Sequence, residues 1–213
     1  MKGEGDERVR ARFATAGDEG QYPLERLKQA LEQFGEQHDL AQTDRADKML
    51  NITRDTGELL AVLVQTREAQ AVLEIGTSNG YSTLWLAEAV ARLDGHVTTI
   101  ERDEGKRALA QANFEQAGLA GRITQLAGEA GALLPTLPSA GFPLIFLDSD
   151  RRQYRAWWPQ LQRLLPPRGL LVVDNAISHR EELAEWMAEV AQDPRFVTSL
   201  VPVGKGEWLV VRV

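Results

Sequence analysis

The sequence predicts an α/β fold: an open, mostly parallel sheet with helices on both faces and a helical extension on its N-terminal side. Three observations carry this. From about residue 71 to residue 192, short apolar runs alternate with amphipathic stretches of helix length, the pattern of strands covered on both faces by intervening helices. The first of those runs, Val72-Leu-Glu-Ile-Gly-Thr-Ser-Asn-Gly80, meets an acid, turns on two glycines and enters a helix. That is how such a sheet builds a ligand crevice at its carboxyl edge. Two closing apolar runs are then joined by Pro202-Val-Gly-Lys-Gly206, a hairpin that makes the end of the sheet antiparallel.

The elements follow in chain order. Residues 1–20 are rich in glycine and charge and read as a flexible N-terminus. Leu24, Leu27, Leu31 and Phe34 recur at helical spacing between Tyr22 and His38, which predicts an amphipathic helix. The segment Asp44–Thr56 is polar and irregular, and Gly57–Thr66 gives a second helix with Leu60 and Val64 on one face. Residues 21–66 thus form a helical lid on a single domain spanning 21–213. Strands are expected at Ala71–Ile75, His96–Ile100, Arg122–Leu126, Leu144–Leu147 and Leu170–Val173. Helices are expected at Tyr81–Leu93, with Leu86, Val90 and Leu93 as its apolar stripe, and at Glu104–Ala117, near Ala130–Leu134, at Tyr154–Leu165 and at Glu181–Gln192. The hairpin strands are Phe196–Val201 and Trp208–Val213.

Composition removes several classes of function. The 213 residues are 43% hydrophobic, enough for one domain with a full core. No apolar run reaches the roughly 18 residues of a membrane span, and the charged N-terminus lacks the apolar segment of a secretory signal. A chain with no cysteine has no disulfide framework and no thiolate ligand or nucleophile, which points to a cytoplasmic setting. The formal charge is −7, and no lysine- or arginine-rich block stands out, so a nucleic-acid surface is disfavoured.

The glycine turn is neither Gly-x-Gly-x-x-Gly nor a phosphate loop, because Tyr81 follows the second glycine. Gly76 and Gly80 let backbone approach a ligand closely. Glu74 lies near the end of its strand, where a carboxylate meets a cationic group. Glu101 ends the next strand, where an acceptor for a ribose diol belongs. A ligand carrying both a ribose and a positive charge, such as S-adenosylmethionine, fits this pair.

Together with Thr99-Ile-Glu101, Phe146-Leu-Asp148 and Val173-Asp-Asn175, the stretch Val72 to Ser82 resembles the catechol and caffeoyl-coenzyme A O-methyltransferase family. The resemblance runs from about Met49 to the C-terminus with motif order and spacing kept. It implies a Rossmann-like sheet of seven strands whose last strand is antiparallel, and class I S-adenosylmethionine-dependent chemistry. On matching positions it implies backbone contacts near Leu50 and Ile52, with Gly76 and Ser82 at the amino-acid end of the cofactor. Glu101 would hold the ribose, and the turn Gly128-Glu-Ala130 would flank the adenine through Ala130. Family members are commonly homodimers.

Asp148 ends the fourth strand and Asp174-Asn175 the fifth, so parallel strands bring three oxygen-bearing side chains to one rim. Two carboxylates and an amide without His or Cys suit a hard cation such as Mg²⁺, and the resembling family places its metal on these positions. A bound cation favours the deprotonated form of a phenolic hydroxyl. One position departs from the family. Where it carries a lysine as general base, three residues beyond the first metal Asp, this chain has Arg151, which stays protonated and serves only to steady an oxyanion or clamp a carboxylate. The base is then the metal alone, Asp150, or His179, which lies just past the metal pair and titrates near neutrality. His38 and His96 have no such context. Phe13 and Tyr22 stand where relatives fold a helix over the acceptor. Trp157, Trp158 and Trp186 read as packing or interface residues.

The expected activity is metal-assisted methyl transfer to a small phenolic or catechol-like hydroxyl. Other readings are a metal-independent enzyme acting on another small or transfer-RNA-borne hydroxyl, and a non-catalytic S-adenosylmethionine-binding module.

Overall fold

The computed structural model describes residues 23–44 and 47–213; the expected flexible segment 1–20, Phe13 and Tyr22 lie outside the described residues. The chain divides into two compact units, Met1–Lys48 and Met49–Val213, so the boundary falls inside the segment read as a lid. In the first unit one helix is described, α1 (Pro23–Ala41). At its end the His38 ring stacks on Phe34, with centroids 5.2 Å apart, and His38 Nε2 lies 2.9 Å from the Asp47 carbonyl oxygen.

The second unit holds α2 (Arg54–Thr66), β1 (Ala71–Ile75), α3 (Tyr81–Ala91), β2 (His96–Glu101), α4 (Glu104–Gln116) and β3 (Ile123–Ala127). These are followed by the short α5 (Ala130–Leu133), β4 (Leu144–Leu147), α6 (Tyr154–Leu164), β5 (Leu170–Val173), α7 (Arg180–Gln192), β6 (Phe196–Val201) and β7 (Glu207–Arg212). All seven expected strands form, each within one residue of its expected bounds. Helix α2 starts three residues early, at Arg54. Thr53 sits in extended backbone before it, and the Gly57 amide already donates to the Thr53 carbonyl.

The strands form one sheet in the order β3-β2-β1-β4-β5-β7-β6. Pairs among β1 to β5 are parallel, and β7 runs antiparallel to both β5 and β6. Every residue of β4 and β5 is buried, as continuous apolar strands covered on both faces require. On one face Leu73, Ile75, Ile145, Leu147, Leu171 and Val173 join a core with Tyr154, Trp157 and Leu161 of α6 and Leu183 and Trp186 of α7. The tryptophans pack within the chain: Trp158 lies 4.9 Å from Phe196 and Trp186 lies 5.2 Å edge-on to Trp208, centroid to centroid. Helix α3 differs from its expected stripe. Nine of its residues are buried and it ends before Leu93, because a helix apolar nearly all round is covered nearly all round.

Leu73 is fully buried in β1 beside the glycine turn. Leu73→Ala should lower unfolding stability by about 3 kcal/mol, within the range for leucine cavities in cores, read as a reduced midpoint in urea denaturation with an unchanged slope.

Candidate functional site

The parallel ladders run past the strand ends and so draw the candidate residues onto one rim. The Gly76 amide donates to the Ile100 carbonyl at 3.0 Å, the Asp148 amide to Ile75 at 3.1 Å, and the Asp174 amide to Leu147 at 3.0 Å. Gly76 has φ +105°, and a Cβ there would strike the Asp148 carbonyl oxygen. The glycine turn and the first acid of the second cluster are therefore in backbone contact. Gly80, at φ +84°, precedes α3, and a Cβ there would meet the Phe114 ring.

Glu101 braces the glycine turn. One carboxylate oxygen accepts from the Ser78 amide and the other from the Asp103 amide, each at 3.0 Å, while the side chain stays half-buried. The Ser78 hydroxyl donates to the Met49 carbonyl at 2.8 Å, which draws the segment carrying Leu50 and Ile52 to the turn. Leu50 is exposed with φ +51°, and Ile52 is buried. The Gly128 amide donates to the Glu101 carbonyl at 3.2 Å, and the chain leads on to the buried Ala130 at the start of α5. The residues expected around a nucleoside thus share one rim.

Glu74 departs from its expected part. It is fully buried, and the places foreseen for a cationic group are taken by three hydroxyls: Ser82 and Thr83 donate at 2.5 Å and Thr99 at 2.6 Å. Thr77 and Thr99 share a further bond at 2.6 Å. Ser82 is likewise turned onto Glu74. Burial raises the Glu74 carboxyl to about 7, against the three hydroxyls that favour its charged form.

Asp148, Asp174 and Asn175 converge. The Asn175 amide nitrogen donates to Asp174 at 2.7 Å and to Asp148 at 3.3 Å, and the Asn175 backbone amide donates to Asp174 at 2.7 Å. Asn175 has φ +65°, a conformation asparagine tolerates better than most residues. Burial raises both acids, and the Asp174 charge raises Asp148 further. Two desolvated carboxylates side by side fit a hard cation, and the neighbouring amide, turned over, offers a third oxygen. Among the described residues no three His, Cys, Asp or Glu side chains form a metal-holding group, so any ligand set here is these two acids completed by the amide.

Arg151 lies beside the acids with its side chain 7% exposed, and its Nε and Nη2 donate to Glu182 at 3.1 and 3.4 Å. Asp150 is a weak base, because its bonds to Arg152, Nε and Nη2 both at 2.9 Å, hold its carboxyl down to about 2. His179 opens α7, half-buried, with Nδ1 2.9 Å from the Ser178 hydroxyl and its amide on the Asn175 carbonyl. The His96 ring, through Nε2, lies 2.8 Å from the Thr124 hydroxyl.

Sequence reasoning missed Thr99, Thr56 and Glu207. Thr56 opens α2 and donates to Glu207 at 2.9 Å. Glu207 is fully buried at the first residue of β7 and faces Asp174; burial and then the Asp174 charge push its carboxyl up to about 10, so it holds a proton at neutral pH. The available signal was a lone acid at the head of an apolar strand.

The O-methyltransferase family model matches residues 27–213. The chain belongs to this family. Over 145 residues, 67% of this chain and 65% of the relative, it is 35% identical to the catechol O-methyltransferase of Niastella koreensis. It is 36% identical to that of Mycobacterium tuberculosis over 68% of this chain and 66% of the relative. The match thus spans just under two thirds of those relatives' length. Among solved structures, the O-methyltransferase TomG of Streptomyces achromogenes, in complex with SAM, superposes with a TM-score of 0.73 at 26% identity, covering 100% of this chain and 99% of that one. The seven-stranded, Rossmann-like fold described above is thus that of a solved methyltransferase neighbour.

Two outcomes test the geometry. Gly76→Ala should weaken S-adenosylhomocysteine binding at least about tenfold by calorimetry, because positive φ and the Asp148 carbonyl both oppose a side chain. Glu74 titrates near 7 folded and 4.5 unfolded, so its stability contribution is complete below 4.5 and lost as pH rises through 7. Glu74→Gln should therefore gain on the wild-type protein between pH 4.5 and 8, by up to about 3 kcal/mol at 1.36 kcal/mol per unit, in denaturation curves across that range.

Proposed function

We propose that this chain is an S-adenosylmethionine-dependent O-methyltransferase that methylates one hydroxyl of a small catechol-like acceptor with help from a divalent cation. The observation that carries the reading is the contact of Gly76 with the Asp148 carbonyl. It sets the turn that would grip the methyl donor directly against the acid pair that would hold the acceptor. The catechol O-methyltransferase name of two relatives supports the acceptor class.

In this reading Glu101 holds the ribose, the 76–80 turn takes the amino-acid end, and Ala130 lines the adenine. Asp148, Asp174 and Asn175 would hold the cation, whose charge would favour the ionised form of an acceptor hydroxyl. The acceptor oxygen bonds to the methyl carbon as the carbon–sulfur bond breaks, giving a methyl ether and S-adenosylhomocysteine. His179 takes the hydroxyl proton, since Asp150 is bound to Arg152 and Arg151 stays charged. Arg151, held by Glu182, keeps a fixed positive charge at the acceptor end of the rim and steadies the acceptor oxyanion before transfer. A metal-independent mechanism is the second reading. The burial of Arg151 against the acids favours it, because a guanidinium there supplies positive charge without an ion.

Methylation of catechol, followed by product analysis, should require Mg²⁺ and stop with chelation. Asp174→Ala should lower kcat at least about a hundredfold while S-adenosylhomocysteine affinity stays within about threefold, the pattern of a lost reacting-centre interaction. Undiminished turnover in Asp174→Ala would sink the metal-assisted mechanism. His179→Ala should remove an ionisation near neutral pH from the rate profile; an unchanged profile assigns the proton elsewhere.

A further inference from the structure

Two residues of β2, Thr99 and Glu101, hold consecutive residues of the glycine turn. They stand two positions apart in one strand, so their side chains leave the same face of the sheet. Glu101 accepts from the Ser78 amide at 3.0 Å, and the Thr99 hydroxyl lies 2.6 Å from that of Thr77. The turn closes on itself where the Gly80 amide donates to the Thr77 carbonyl at 2.8 Å. From α4 the Asn113 amide donates to the Asn79 carbonyl, also at 2.8 Å.

The proton count fixes how Thr77 and Thr99 bond. Thr99 has one hydroxyl proton, and with Glu74 ionised that proton goes to Glu74 Oε2 at 2.6 Å. Thr99 therefore accepts from Thr77, and the bonds run in one direction from the turn through β2 to β1. All three side chains are buried, so neither hydroxyl has water to turn to and neither reaches a ligand on the open side of the turn. Thr83 provides a contrast. It is equally buried and donates to the same oxygen of Glu74 at 2.5 Å, but from within α3 and not from the turn.

We propose that Thr99 is a positioning residue for the cofactor: through Thr77 it sets the glycine turn at a fixed spacing from Glu101. The proposal rests on the reading of this rim as the S-adenosylmethionine site, with the 76–80 turn at the amino-acid end and Glu101 at the ribose. A ligand gripped at both ends gains most from groups already held at the matching separation, because freedom left in the turn is lost on binding. Ser78 has φ +48°, and a backbone in that region keeps its shape only where its neighbours over-determine it. Thr99 and Glu101 supply two of those restraints from a single strand.

The test is calorimetric titration of S-adenosylhomocysteine into the whole chain. Thr99→Val keeps the shape of the side chain and should weaken binding about tenfold, the scale of a buried polar group left without its partner. Thr77→Val removes the other end of the bond while leaving the shell of Glu74 whole, and should weaken binding by a similar factor. The double variant should be no worse than Thr99→Val, as for two ends of one interaction. Thr99→Ser, which keeps the hydroxyl, should stay within about threefold of the wild type. Thr83→Val should lower the urea midpoint yet hold affinity within about threefold. Wild-type affinity in Thr77→Val overturns the proposal, and that variant decides alone against Thr83→Val if Thr99→Val does not fold. Equal losses in Thr83→Val and Thr99→Val also overturn it, since the emptied shell of Glu74 is then the cause. So do additive losses in the double variant, or a Thr99→Ser protein as weak as Thr99→Val. A wild-type chain that does not bind S-adenosylhomocysteine takes down the cofactor reading itself.

Discussion

Four carboxyl groups stand at one rim of the sheet, Glu74, Asp174 and Glu207 buried and Asp148 half-buried, and the desolvation they suffer governs how that rim is built. A buried carboxylate must be hydrogen-bonded, paired or protonated. The chain uses all three remedies. Three hydroxyls surround Glu74, an amide and a backbone N–H hold Asp174, and Glu207 keeps its proton. Asp148 is the least compensated, with an amide at 3.3 Å and two cations acting from a distance. It is also the group whose carbonyl abuts the glycine turn.

The surrounding architecture is arranged to keep these groups fixed. Thr56 at the head of α2 reaches Glu207, and Gly204 is tied to Asp55 one residue earlier, so helix and hairpin lock together behind Asp174. Arg151 and Arg155 join the region before and within α6 to Glu182, Glu185 and Glu189 of α7. The outer pairs are exposed and worth little each. The inner one, between buried Arg151 and the more exposed Glu182, matters more, because removing Glu182 would take this partner from a buried guanidinium beside the acids. It also explains how an arginine is accommodated at position 151: the guanidinium has a carboxylate of its own and need not turn onto Asp148.

Nearly all of the sheet was legible in the sequence, because strands covered on both faces are written as unbroken apolar runs. Leu144–Leu147 and Leu170–Val173 have the bounds their sequence implies. Parallel order then required Asp148 and Asp174 to share a rim, and their spacing from the strands was enough to bring Asn175 with them. Less legible was what each acid would face. Glu74 was read as open to a cation, but residues eight, nine and twenty-five positions further on fill its shell. The start of α2 was read three residues late, since Arg54-Asp-Thr56 is polar and its helical state depends on contacts with the hairpin.

The sequence by itself determined the α/β class, the order of strands and helices, the glycine turn and the rim on which Glu101, Asp148, Asp174 and Asn175 meet. Those follow from periodicity and from the polarity of parallel strands, both local properties of the chain. Only the tertiary structure decided that Glu74 is sealed by hydroxyls, that Arg151 belongs to Glu182, and that Glu207 comes to Asp174 from a hairpin more than thirty residues later. Charges act through space and not along the chain, so their partners become visible only once the fold has set the distances and excluded the water.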